Sequence, residues 1–324
     1  MARFLFVVPP LTGHTNPTVP VAQALQARRH ECAWAGHETA VGRLLPGGAR
    51  LIALPENLPD EVVEHMVETA KRVRGLKGLK FLWEDFLIPL ARAMREGVEE
   101  AVDEFEPDVV VVDQQALAGA LVARSRGLKW ATSATTSADL VESLGALPKV
   151  LEWVDAQLTA LQREAGLDPV VRPENSPNLT VVFSTGALVG DTERFPDTYR
   201  FVGPAFRGRG PKVDFPWDDL SEGPKVLVSL GTLNAERGGD FFERVVEALG
   251  SHALDGRDLQ VILVAPDDSA QRWPDNFIVR PWVPQVELLA RVDAVVSHGG
   301  HNTVCEALAH GRPLVVTPVK DDQP

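Results

Sequence analysis

Cysteine is almost absent, with only Cys32 and Cys305 among 324 residues. They fall in segments that read as a strand and a helix, so neither a disulfide framework nor a zinc cluster is supported. Positive charge is also in deficit. The formal net charge of -13, from 32 Lys and Arg against 45 Asp and Glu, argues against nucleic acid as a partner, because a phosphate backbone is bound by a basic face. No apolar run approaches the roughly 20 residues that span a bilayer, so no integral membrane segment is expected. Residues 4–10 are apolar but run straight into a glycine turn without a small-residue cleavage site. No export signal is visible there, and the chain reads as soluble and cytoplasmic. Repeats and low-complexity tracts are missing too. What is present, 44% hydrophobic and 24% charged residues, suffices for two ordinary domains, each with its own core.

The most informative stretch is 297–323, SHGGHNTVCEALAHGRPLVVTPVKDDQ. Apolar residues 294–296 read as a short buried strand ending at Ser297, and the turn His298-Gly299-Gly300 lets backbone approach a ligand closely. A helix follows. Thr303 with Glu306 has the spacing of a capping box, Gly311 closes the helix, and Pro313 opens a further apolar strand over 314–317. A glycine turn entering a helix N-terminus is a site for an anion, since unpaired amides and the helix dipole both favour negative charge. Each residue taken singly also has a plain structural reading: Thr303 and Glu306 as caps, the glycines as turn formers, His298 as a loop histidine.

At the other end, residues 3–8 are continuously apolar, which suits a parallel strand covered on both faces. The loop Pro9-Pro10-Leu11-Thr12-Gly13-His14 follows, then a helix over about 17–28. His14 thus stands at the carboxyl end of the first strand, where open α/β sheets place their ligands. A second apolar run, 108–112, ends at Asp113, on the same sheet edge if both strands are parallel. Asp113 has an alternative reading as the cap of a helix starting near Gln115. Further strands are read at 31–35, 50–54, 129–133 and 180–183, and helices at 38–45, 60–73, 82–105 and 138–165. Residues 55–83 are charged and broken by Gly75 and Gly78; Trp83 and Phe86 either line an apolar pocket or form helix-face core. Residues 206–224, with prolines, glycines and charges, read as the linker between an N-terminal domain, 1–205, and a C-terminal domain, 225–324. The second domain alternates strands (225–230, 260–264, 277–279, 294–296) with helices such as 240–252, as a doubly wound sheet does.

The string Trp282, His298, Gly300, Asn302, Thr303, Glu306, Asp322 and Gln323 resembles the nucleotide-binding signature of the UDP-glycosyltransferase superfamily (glycosyltransferase family 1) in order and spacing. The start of the chain resembles it as well, with a Gly-His turn at Gly13-His14, as does Ser-Leu-Gly-Thr at 229–232. One departure is Arg29, where relatives often carry glycine. The resemblance implies a GT-B fold, two Rossmann-like doubly wound domains facing a cleft, with acceptor bound by the first and nucleotide-sugar donor by the second. It makes His14 the catalytic base and Asp113 its partner. The chemistry suits these residue types: an acceptor hydroxyl must lose its proton as it attacks an anomeric carbon, and a neutral imidazole can take it. By the same resemblance Gly231, Thr232, His298, Gly299, Gly300, Asn302 and Thr303 support the diphosphate. Trp282 stacks on the base, Val283 and Gln285 read its edge and ribose, Glu306 binds ribose, and Asp322 and Gln323 hold sugar hydroxyls.

No metal is implied, because the helix N-terminus carries the leaving charge, and no cofactor beyond a UDP- or TDP-sugar co-substrate. A lipophilic natural-product alcohol is the expected acceptor, and a homodimer is an admitted assembly. The chain stops at Pro324, before the closing strand and helices that follow the Asp-Gln pair in the family, so a truncated second domain is expected. Two other readings are a nucleotide-sugar epimerase and a non-catalytic donor-binding subunit or inactive fragment.

Overall fold

The computed structural model describes residues 1–54, 69, 75–136, 147–206, 214–231, 239–250, 253–254, 256–266 and 273–318. The chain divides into two compact units, Met1–Pro211 and Lys212–Pro324. Apart from residue 69, the expected helix at 60–73 lies outside the described residues, as do residues 138–146 of the expected helix 138–165; the rest of the latter is observed as Pro148–Glu164.

The first unit is built on β1 (Arg3–Val7), β2 (Glu31–Gly36), β3 (Arg50–Ala53), β4 (Val109–Asp113), β5 (Trp130–Ala134), β6 (Thr180–Val182) and β7 (Tyr199–Phe201). All pair in parallel, in the order β3-β2-β1-β4-β5-β6-β7. The reversal of direction at β1 and β4 places their carboxyl ends at the point where such sheets hold ligands. Continuous apolar strands are explained by burial on both faces. Leu5 and Val7 belong to one core with Val110 and Val112, beneath helices Ile88–Phe105 and Leu117–Ser125. Phe6 and Val8 belong to another, with Val19, Ala22 and Trp34. Trp34 stacks on Phe6 at 5.3 Å and donates its indole N–H to Thr18 Oγ1 at 2.8 Å, so its one polar atom is satisfied inside that core.

Two features differ from expectation. Gly75 and Gly78 do not break the chain; they lie in helix Gly75–Lys80, which continues through a π-helical stretch, Phe81–Leu87, into Ile88–Phe105. Pro89 accounts for the widened turn, because it has no N–H to give and its ring crowds the carbonyl four residues back. Phe86 is buried and Trp83 packs partly buried against the same core, so the helix-face reading describes them. The edge strand β7 was not foreseen: three residues near Pro196 and Pro204 carry too little periodicity to announce themselves.

The second unit has β8 (Lys225–Ser229), β9 (Ala253–Leu254), β10 (Arg257–Asp258), β11 (Gln260–Val264), β12 (Phe277–Arg280), β13 (Ala294–Ser297) and β14 (Leu314–Val316). Its five-stranded parallel sheet runs β12-β11-β8-β13-β14, with β9 and β10 a separate antiparallel pair. Here too the faces alternate: Leu227, Ile262 and Val295 enter one core, Val228, Val261 and Leu263 the other. Phe215, in the expected linker, is buried in the first of these cores, and Trp217–Asp219 forms a 3-10 turn beside it. Cys32 and Cys305 are both buried, and neither forms a disulfide. Among the described residues no helix is long and apolar enough to cross a membrane.

Candidate active site

β1 and β4 are parallel neighbours with Val7 opposite Val112, so whatever follows each strand meets at one edge. After β1 the chain makes a single helical turn, Thr12–Thr15, which presents His14. Asp113 is the last residue of β4. His14 Nδ1 stands 2.8 Å from Asp113 Oδ1, with the histidine 8% and the aspartate 1% exposed. An ionised carboxylate only accepts, so this contact is a hydrogen bond when Nδ1 carries the imidazole proton. Asp113 Oδ1 also accepts from the Gln115 N–H at 2.9 Å. That is the local turn capping foreseen as the alternative role; it coexists with the histidine contact, while the helix itself begins later, at Leu117.

A third residue belongs to this cluster and was missed in the sequence. Thr135 follows β5, the neighbour of β4, and its hydroxyl donates to Asp113 Oδ2 at 2.8 Å. Thr135 Oγ1 also lies 2.8 Å from His14 Nδ1. The available signal was positional: the first hydroxyl beyond the strand at 129–133 must fall beside Asp113 once β4 and β5 are paired.

In the second unit β8 and β13 lie side by side, Ser229 opposite Ser297. Each leads into a glycine turn, with Gly231 at φ 72 and Gly299 at φ 90, a region that side-chain-bearing residues resist. The two serines brace the turns, Ser229 Oγ accepting from the Gly231 N–H at 3.2 Å and Ser297 Oγ from the Gly299 N–H at 3.3 Å. The His298 imidazole fills the gap between them. A Cβ on Gly231 would stand 2.5 Å from His298 Cε1, and one on Gly300 2.5 Å from Nε2. A Cβ on Gly299 would meet Val316 Cγ1 at 2.9 Å. All three glycines are therefore needed for the space they leave, and Gly231 and Gly299 for their turns as well.

Helix His301–Ala309 starts immediately after Gly300, which is its N-cap and offers no side chain. The expected capping box is not formed. Thr303 is already the third residue of the helix, and both it and Glu306 are buried. Their partner is Gln285, the first residue of helix Gln285–Leu289, whose Nε2 donates to Glu306 Oε2 at 2.7 Å and to Thr303 Oγ1 at 3.3 Å. Gly311 closes the helix as foreseen, at φ 65, with the Arg312 N–H reaching Ala307 O at 2.8 Å. Asn302 is half-buried in the first turn. Trp282 is 49% exposed, while Val283 packs partly buried on the core. Thr232, Asp322 and Gln323 lie outside the described residues. The second unit thus brings Gly231, His298 and Gly300 into one cluster and Gln285, Thr303 and Glu306 into another.

Comparison with known proteins places this architecture. A family model described as UDP-glucoronosyl and UDP-glucosyl transferase matches residues 222–324. Demethyllactenocin mycarosyltransferase from Streptomyces fradiae is 31% identical over 348 residues, covering 98% of this chain and 71% of that protein. Among solved structures, the glycosyltransferase SnogD from Streptomyces nogalater aligns with a TM-score of 0.71 at 25% identity, over 98% of this chain and 82% of that one. The glycotransferase of kitacinnamycin aligns with a TM-score of 0.74 at 24% identity, over 100% and 82%. Two parallel α/β sheets of this topology, joined to these similarities, mean that the chain belongs to the UDP-glucuronosyl and UDP-glucosyl transferase family, glycosyltransferases of the GT-B fold class.

Proposed function

We propose that this glycosyltransferase is an inverting, metal-independent enzyme that moves a hexose from a UDP- or TDP-sugar to a hydroxyl of a lipophilic natural product. The observation that carries the proposal is the buried contact between His14 Nδ1 and Asp113 Oδ1 at 2.8 Å. It supports an imidazole held in one tautomer with Nε2 as base. The acceptor O–H gives its proton to Nε2 while its oxygen forms a bond to the anomeric carbon. The bond from that carbon to the nucleoside diphosphate breaks on the opposite side, and an α-linked donor yields a β-linked product. Asp113 balances the imidazolium that results.

The leaving diphosphate is held, in this reading, at the turn and helix start formed by Gly231, Thr232, His298, Gly299, Gly300, Asn302 and Thr303. The exposed Trp282 indole offers a flat surface for the base, with Val283 beside it. Gln285 and Glu306, already bonded to each other, present a carboxylate for the ribose diol, and Asp322 and Gln323 take sugar hydroxyls. No cofactor beyond the co-substrate is needed. The acceptor class follows the Streptomyces fradiae relative, named for a transfer onto demethyllactenocin.

The test is His14→Ala, assayed for transfer with UDP- and TDP-glucose and, separately, for binding of UDP and TDP by calorimetry. Transfer should fall by about 10²- to 10⁴-fold, with nucleotide binding kept and EDTA without effect. A variant that retains transfer within about threefold, far less than general-base loss should cost, would mean that another group takes the proton.

A further inference from the structure

We propose that Thr135 is a positioning residue of the His14–Asp113 pair, fixing the rotation of the Asp113 carboxylate and through it the direction of the His14 Nε2 lone pair. The inference rests on the reading of His14 as base. It starts from a count of hydrogens. Three groups stand at three mutual contacts of 2.8 Å: Nδ1 to Oδ1, Thr135 Oγ1 to Oδ2, and Oγ1 to Nδ1. Only two hydrogens are available to them, one on the imidazole and one on the hydroxyl. With the carboxylate ionised, the hydroxyl must donate to Oδ2, since Nδ1 already carries a proton. The Nδ1–H is then shared between Oδ1 and the lone pairs of Oγ1.

The distribution of donors makes the threonine necessary. Asp113 Oδ1 holds two, His14 Nδ1–H and the Gln115 N–H. Oδ2 has Thr135, on a carboxylate whose side chain is 0% exposed. The terminal torsion of an aspartate is soft, and a buried oxygen that loses its donor bears the desolvation cost of an unmade bond. Without the hydroxyl the carboxylate turns to satisfy Oδ2 elsewhere, and Nδ1 loses both the in-plane acceptor and the second one at Oγ1. The ring then reorients or takes the other tautomer, with its proton on Nε2, where it cannot act as base.

Thr135→Val keeps the shape and removes the hydroxyl; Thr135→Ser keeps the hydroxyl. Steady-state kinetics with saturable donor and acceptor, and ¹⁵N spectra of the labelled imidazoles with His14→Ala for assignment, read the outcome. In Thr135→Val, kcat should fall about 10- to 100-fold, as for a small misplacement of a catalytic group, with both KM values within about threefold. The His14 ¹⁵N pattern should change from a single Nδ1–H tautomer to a mixture. Thr135→Ser should restore both. If the valine variant does not fold, Thr135→Ala, which adds no atoms, carries the same expectations. A raised donor KM with unchanged kcat and an unchanged ¹⁵N pattern would overturn the proposal and make Thr135 a donor contact. Full activity in Thr135→Val beside an inactive His14→Ala would overturn it too. An active His14→Ala would instead remove the reading of His14 as base, and the ¹⁵N pattern alone would then decide whether Thr135 orients the ring.

Discussion

Alanine at Gly300 puts the slot around His298 to a direct test. The new methyl would lie 2.5 Å from Nε2 and 2.7 Å from Cε1 of the imidazole, about an ångström inside ordinary contact. The backbone at Gly300, φ -57 and ψ 131, is open to any residue, so the whole conflict falls on the ring. On the Gly231 side the ring already lies close against the backbone, since a Cβ built there would stand 2.5 Å from Cε1. It must swing out between the two turns. Driving a side chain about 30° off its rotamer costs about 0.5–1.5 kcal/mol, so the fold should lose little. The loss in function is larger. If His298 supports the diphosphate, one charge-assisted hydrogen bond of about 1.5–3 kcal/mol is forfeited, which weakens UDP or TDP binding roughly 10- to 150-fold. Calorimetric titration of Gly300→Ala, His298→Ala and the double variant measures this, with thermal unfolding alongside. The two single losses should be similar and the double variant no worse than His298→Ala, because both changes remove one interaction. Full-strength binding by Gly300→Ala beside a crippled His298→Ala would refute the reasoning, since the ring would then tolerate the methyl without leaving its place.

Two further predictions concern stability. Arg29 ends helix Thr18–Ala27 at φ 65, with its N–H on Gln26 O at 2.8 Å and that of His30 on Leu25 O at 3.1 Å, a closure that favours glycine. Left-handed backbone costs a side-chain-bearing residue about 1 kcal/mol and glycine's freedom in the unfolded chain returns part of that. Arg29→Gly should therefore raise the melting midpoint by roughly 1–2 °C, and a fall would contradict the assignment. Burial pushes the Cys32 thiol up from 9.0 to about 11. The unfolded chain ionises first, so the stability present below pH 9 is lost as pH rises toward about 11. Denaturation midpoints should drop across that window in the native protein and less in Cys32→Ala, and a disulfide reagent at pH 8 should label folded Cys32 slowly.

Much of the fold was legible because its signals are local. The runs at 3–8 and 108–112 announced strands buried on both faces, and the alternation of Leu5 and Val7 with Phe6 and Val8 between two cores is the reason such runs lack a polar face. From two strand ends it followed that His14 and Asp113 share an edge, and they meet at 2.8 Å. Gly311 ended its helix for the same local reason, at φ 65.

Other features rest on contacts between residues far apart in the chain, and no window of sequence contains them. Thr135 reaches Asp113 only because β5 pairs with β4. His298 is held by Gly231 only because β13 lies beside β8. Thr303 and Glu306 had the spacing of a cap, yet Gly300 starts the helix and Gln285, arriving from another helix, takes both side chains. Spacing along one helix is set by backbone geometry and can be read directly; which polar group finally satisfies a buried hydroxyl or carboxylate depends on strand order and helix placement, and those are decided by the packed sheet as a whole.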